Sequence, residues 1–253
     1  MENLKIISLL LEYPDREIWL HKDDLMKDIS EMLFLSPAQM SRLYTFIEEL
    51  TEQDLLDAQS NYIELFDRGR SLSLLLFEHV HGESRDRGQA MIDLMEQYKT
   101  AGLQIESIEL PDYLPVFLEY LATLAREEAV QGLADIAPIL ALLGARLEKR
   151  DSLYSTLFTL LLELSGTQVR PEHLHDNVDK EQRDDTAEAL DAVWEEEQIK
   201  FLGEEGCASA EQNMHQKRFA GSVQPQYVSL DSIAPLSDNS AKDSSTSMSG
   251  GQQ

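Results

Sequence analysis

The sequence predicts an all-α protein: a single globular multi-helix domain, an acidic extension with one amphipathic helix, and a disordered tail. Three observations lead there. Apolar residues recur at the three-and-four spacing of a helix face in successive windows between residues 3 and 164. Helix-start chemistry precedes several windows, most completely at Ser36-Pro37-Ala38-Gln39. No Asn-Gly or Asp-Gly hairpin signal and no sustained period-two alternation marks a strand.

The first helix is expected over residues 3–11, with Leu4, Ile6, Ile7, Leu10 and Leu11 apolar. Pro14 ends it, because the residue before a proline avoids the helical region. A second is expected over residues 16–33. The third opens at Ser36, which can cap. Pro37 sits at the first helical position and Gln39 can reach back to close a capping box. It runs to about residue 50 on Met40, Leu43, Tyr44, Ile47 and Leu50. Residues 55–66 and 84–98 form two more, the latter stopped by Gly102. The next is expected to start at Glu109-Leu110-Pro111-Asp112 and to carry Leu114, Phe117, Leu118, Leu121 and Leu124. Residues 127–147 form a long apolar helix in which Pro138 predicts a kink or break. Asp151 or Ser152 is expected to cap a last core helix to residue 164.

The main domain is thus expected over residues 1–167 and the acidic extension over 168–228. Within the extension, Ala189, Leu190, Val193, Trp194 and Phe201 keep helical spacing. Residues 229–253, rich in Ser, Asp and Gly, are expected to be disordered.

Composition excludes several classes of function. Asp and Glu number 47 against 21 Lys and Arg, a formal net charge of -26. A phosphate backbone would be repelled, so no nucleic acid is expected as partner. The charge fits either a basic partner or simple solubility. No stretch of about 18 consecutive apolar residues predicts a membrane span, and the N-terminus lacks the pattern of a secretory signal. The single cysteine, Cys207, agrees with a reducing compartment. A cytoplasmic protein is expected. No phosphate-binding glycine loop or nucleophile elbow supports catalysis.

The unusual residues concentrate between Tyr62 and Tyr98. Arg68 and Arg70 form one cluster, Arg85 and Arg87 another. The guanidinium forks could bind an anion, or could pair internally with Asp67, Glu78, Glu83 and Asp86. His79 and His81, between Glu78 and Glu83, are the best metal candidates. No further ligand cluster completes a site, so no metal is expected, and the histidines are read as hydrogen-bonding the arginine loop. Pro111, Asp112, Tyr113 and Glu119 could line a groove, although Asp112 near a helix start is also a favourable dipole residue. Trp194 and Phe201 could dock a partner or fold back on the domain.

The same stretch carries a family resemblance. FDRGR followed by SLLLFEHVHGESRDRGQAM resembles the NarJ family, the assembly chaperones of respiratory nitrate reductase. So do Glu12-Tyr13-Pro14, ELPDYLPVFLEYLA, IAPILALLGARL, LDAVWEEEQIKF and RFAGSVQPQY, and the likeness covers roughly residues 1–228. More distantly, the family resembles the chaperones of trimethylamine N-oxide and dimethyl sulfoxide reductases. The resemblance implies an all-helical cytoplasmic protein, without a cofactor of its own. It would bind the apo catalytic subunit of nitrate reductase at its N-terminal peptide, a remnant of a twin-arginine leader. With the insertion machinery it would support loading of molybdenum cofactor and an iron–sulfur cluster before membrane docking, and then leave. Pro111-Asp112 with Glu119 looks like the counterpart of the leader-site segment in the related chaperones, with Tyr113 where those often carry histidine. Two other readings stand beside this one: a metal- or cofactor-handling protein centred on His79 and His81, and a permanent structural subunit docked by the Trp194 helix.

Overall fold

Local sequence sets most of the helices, and two helix pairings, Glu2–Leu11 with Leu114–Thr123 and Arg126–Glu148 with Ser155–Ser165, then bury the apolar faces. The computed structural model describes residues 1–32, 34–80, 85–105, 109–192 and 194–195, with backbone alone at Arg85 and His173. All of them fall in the first of two units, Met1–Glu197 and Gln198–Gln253. The order is α1 Glu2–Leu11, α2 Arg16–Leu20, α3 Lys22–Glu31, α4 Pro37–Glu52, α5 Leu55–Phe66, α6 Arg85–Thr100, α7 Leu114–Thr123, α8 Arg126–Glu148, α9 Ser155–Ser165 and α10 His175–Val178. No strand occurs among the described residues; one isolated bridge joins Leu75 and Tyr113.

The capping box at α4 forms as expected, Ser36 accepting from the Gln39 amide while Gln39 accepts from that of Ser36. Gly102 stops α6 with a left-handed φ of 81°, and the Leu103 amide reaches back to the Tyr98 carbonyl. Four expectations change. The helix over 16–33 is two, broken at His21 (φ -110°, ψ 24°). Asp23 and Asp24 then lie in the first turn of α3, where the helix dipole favours them. Leu33 lies outside the described residues. Pro138 does not break α8. It sits on the solvent face, where water can satisfy the Ala134 carbonyl that loses its donor. The last core helix starts at Ser155 rather than Asp151 or Ser152, which form the preceding turn. The helix expected from residue 109 starts only at Leu114.

The core pairs are α8 with α9 and α1 with α7. Leu133, Leu140 and Leu147 of α8 are fully buried, as are Leu157, Phe158 and Leu161 of α9. Each such side chain contributes about 1.5–3 kcal/mol of transfer free energy. At Gly144 a Cβ would stand 3.1 Å from Pro171 and 3.5 Å from Phe158, so the missing side chain admits both neighbours. α8 is long and apolar enough to cross a bilayer by length and composition, yet it is the helix on which α9, α7 and the Pro171–Leu174 turn pack.

After Gly166 the chain returns to α8. Arg146 grips both oxygens of Glu181 at 2.7 and 2.9 Å, Lys149 donates to the Val178 carbonyl at 2.6 Å, and His175 meets Glu148 at 2.7 Å. Residues 187–192, 194 and 195 are helical, as the spacing around Trp194 predicts.

Candidate functional site: an aromatic groove with an acidic rim

Pro14 ends α1 so that Tyr13 stands at the surface, 47% exposed, with its ring edge against Tyr62 at 5.7 Å. Tyr62 projects from α5 on the same face as Phe66, and the two rings lie 4.8 Å apart. The Tyr62 hydroxyl donates to the Leu11 carbonyl at 2.8 Å and meets the Tyr113 hydroxyl at 3.2 Å. Tyr154 closes the stack beneath, 5.2 Å from Phe66. With Leu74, Leu75 and Leu110 the rings of Tyr13, Tyr62, Phe66 and Tyr113 line a hollow of about 460 Å³. Burial raises the Tyr62 hydroxyl well above the usual phenol range and raises that of Tyr113 as well, so both remain neutral donors.

The far wall is the Pro111-Asp112-Tyr113 turn, held from three sides. The Leu76 amide donates to the Asp112 carbonyl at 2.9 Å and the Leu114 amide to the Leu74 carbonyl at 2.8 Å, making the Leu75–Tyr113 bridge. The Tyr98 hydroxyl donates to the Pro111 carbonyl at 2.7 Å. The Asp112 carboxylate, fully buried, accepts from the Phe77 amide at 3.1 Å, with Arg87 at 3.7 Å. Burial raises its pKa, partly offset by that amide and by Arg87. Asp112 is therefore no dipole residue of α7. It precedes the N-cap Tyr113 and its charge is directed at the 76–78 turn instead.

Around the hollow the charge is negative. Asp67 and Glu109 line it, and Glu12 lies close by, its pKa raised by burial and by the like charges of Glu119 and Glu109. Glu119 is exposed on α7. An apolar aromatic floor inside a ring of carboxylates can take apolar side chains and hold cationic ones at the rim.

The arginines do not converge on this hollow. Arg68 pairs with Glu64 at 3.3 Å rather than with Asp67, and Arg87 pairs with Glu78 at 3.4 Å. Arg70 opens the Arg70–Leu72 turn at the surface. The Arg85 side chain, His81 and Phe201 lie outside the described residues. His79 bonds the Ser73 carbonyl through Nε2 at 2.8 Å; burial lowers its pKa, so it is a neutral donor there. His79 thus ties the 73–79 loop to itself; no group of three His, Cys, Asp or Glu that could hold a metal occurs among the described residues. Trp194 is 65% exposed.

Residues 35–160, which carry all of this wall except Tyr13 and Glu12, match the family model described as nitrate reductase delta subunit. The chain is 55% identical over 230 residues to the nitrate reductase molybdenum cofactor assembly chaperone NarJ of Escherichia coli (strain K12), covering 91% of this chain and 98% of that one. This chain belongs to the nitrate reductase delta subunit family. It is also 49% identical over 232 residues to the probable chaperone NarW of the same organism, covering 91% and 97%. The probable NarJ of Bacillus subtilis (strain 168) matches at 31% over 157 residues, 62% of this chain and 84% of that one.

Some structural partners of the site escape sequence reading. Ser71 donates through its amide and its hydroxyl to the two oxygens of Asp184, at 2.7 and 2.5 Å. A Cβ on Gly69 would stand 2.6 Å from Asp184. The glycine of FDRGR thus makes room for a carboxylate from the acidic extension, a contact across 113 residues that no local pattern encodes. The Tyr13–Tyr62–Phe66–Tyr154 stack was equally invisible, although Tyr13 beside a helix-ending proline was its one local hint.

Proposed function

We propose that this chain is a system-specific assembly chaperone of respiratory nitrate reductase and that the Tyr13–Tyr113 groove receives the N-terminal peptide of the apo catalytic subunit. In this reading residues 1–167 are the chaperone domain, residues 168–228 its acidic extension, and the protein acts in the cytoplasm. It keeps the apo subunit open while molybdenum cofactor and an iron–sulfur cluster are inserted, acts before membrane docking, and is absent from the finished enzyme. It catalyses no reaction and holds no cofactor of its own. Trp194, exposed on the acidic extension, is the candidate dock for a partner.

The observation that carries the reading is the groove itself: the rings of Tyr13, Tyr62, Phe66 and Tyr113 under a rim of carboxylates, in a member of this family. A leader remnant offers the complement, apolar side chains and positive charge. Tyr13, Leu110 and Tyr113 would contact the peptide, and Glu12, Glu109 and Glu119 would attract it. Asp112, being buried, would act by holding the wall.

Calorimetric titration of the N-terminal peptide of the nitrate reductase catalytic subunit into the purified chain tests this. Saturable 1:1 binding near micromolar, roughly 8 kcal/mol, is expected, weakened in Tyr13→Ala. Absence of binding to the folded chain would refute the leader as the handle.

A further inference from the structure

A second groove shares no lining residue with the first. It runs between α6, α7 and α8 as two contiguous hollows of about 580 and 540 Å³, which have Gln97, Tyr120 and Leu124 in common. Phe117, Tyr120 and Leu124 give it an apolar floor. Tyr120 is braced from below by Tyr98, whose ring lies 4.8 Å away. On α8 the groove passes over Gly132, where a Cβ would stand 2.5 Å from Leu121 Cδ2. The glycine lets α7 and α8 approach closely and leaves the hollow open above them.

The rim is negative on both sides. Asp93 and Glu96 come from α6; Glu127, Glu128 and Asp135 come from α8. No lysine or arginine lines either hollow. Asp93 and Asp135 each accept one hydrogen bond, from Gln89 and Gln131 of their own helices. None of the five carboxylates is in a salt bridge among the described residues. Elsewhere the protein spends its cations differently: Arg87, Arg146 and Arg150 are all paired with carboxylates. Five like charges facing one apolar trough repel one another, and an incoming cation relieves that repulsion. The floor from Phe117 to Leu124 spans about 10 Å at 1.5 Å per residue, enough to seat roughly two turns of a helix laid along it.

We propose that the α6–α7–α8 groove docks a basic amphipathic helix of a partner protein, at a surface separate from the Tyr13–Tyr113 groove. Apolar side chains at helical spacing enter the trough over Tyr120 and Leu124, and flanking lysines or arginines meet Glu96, Glu127 and Glu128. A chaperone with two such surfaces can hold two segments at once, which raises the effective concentration of each for its site.

The probe is a fluorescein-labelled 18-residue Leu/Lys amphipathic helical peptide, titrated by anisotropy into the full chain at about 0.15 M salt, where surface attraction beyond roughly 8 Å is screened. Three proteins are compared: the unaltered chain, the triple variant Glu96→Gln/Glu127→Gln/Glu128→Gln, and a control with equal charge removal on α4, Glu48→Gln/Glu49→Gln/Glu52→Gln. All six positions are exposed, so circular dichroism should show the three equally folded. Saturable binding to the unaltered chain and the α4 control, weakened about tenfold in the groove triple, is the expected result. So is retention of the probe when the leader peptide is added to saturation. Equal weakening in both triples means general attraction to an acidic protein and overturns the proposal. Displacement of the probe by the leader peptide, or no saturable binding, overturns it too. If the leader peptide itself fails to bind the unaltered chain, the function proposed above falls while the probe result still decides this one.

Discussion

Asp112 offers the sharpest test of how the first groove is held together. Asp112→Ala removes the acceptor of the Phe77 amide and one of the two carboxylates facing Arg87. A hydrogen bond to a charged acceptor contributes about 1.5–3 kcal/mol. Against that, the carboxylate bears a desolvation cost, seen as its raised pKa. We expect a net loss of about 1–2 kcal/mol for Asp112→Ala. Asp112→Asn keeps an acceptor for Phe77 and avoids the buried charge, so it should cost less than about 1 kcal/mol. The sign of the pH dependence follows. A carboxyl with a raised folded pKa adds stability that is fully present below its unfolded value, near 3.8, and lost as pH rises through the folded value. The stability of Asp112→Asn relative to the unaltered protein should therefore improve from about pH 4 to pH 7. Urea unfolding followed by circular dichroism at several pH values measures this. Leader-peptide affinity, measured well below the unfolding midpoint, should fall in Asp112→Ala because the Leu75–Tyr113 bridge loosens. A loss above about 3 kcal/mol in Asp112→Asn, or unchanged stability and affinity in Asp112→Ala, would refute the reasoning.

Three more expectations follow from the fold. Asp184→Ala strips Ser71 of two hydrogen bonds, and Gly69→Ala pushes a methyl into the same carboxylate. Each should cost about 1–3 kcal/mol in urea unfolding, and the double variant should cost less than the sum because both release one contact. Asp185 is held near a pKa of about 2 by the hydrogen bonds of Arg183 and by Arg150. Its contribution is present above about pH 4 and lost as pH falls toward 2. With Arg183 exposed, Asp185→Asn should cost only about 1 kcal/mol at pH 7 and nothing near pH 2. Pro138→Ala restores an amide to the Ala134 carbonyl inside α8. It should raise stability by about 1–2 kcal/mol, since proline is roughly 3 kcal/mol worse than alanine in a helix and part of that is offset in the unfolded chain. A rise in the thermal midpoint checks it.

The all-α class and most helices were legible in the sequence, because the signals that make them are local. The α4 capping box lies within four residues, and the stop at Gly102 needs only a left-handed φ. The misreadings also have causes. The His21 break has no proline or glycine to announce it; the Trp19 indole donates to the Gln53 carbonyl at 3.2 Å and fixes where α2 points. The late start of α7 reflects competition for the backbone of residues 111–114: Leu76 donates to the Asp112 carbonyl, Tyr98 to that of Pro111, and the Leu114 amide is given to the Leu74 carbonyl.

The candidate site divides along the same line. Sequence alone determined the helical periodicity and the acidic balance, which follow from composition and from contacts within one or two turns; the motifs between Tyr62 and Tyr98 carried the resemblance to the family. Only the tertiary structure decided that Tyr13, Tyr62, Phe66 and Tyr154 share one stack, that Asp112 is a buried strut, and that Asp184 clamps the Gly69–Ser71 loop. Each of these joins residues far apart in the chain. Such contacts form only after helix packing has fixed which faces meet, and no single helix carries the information that chooses them.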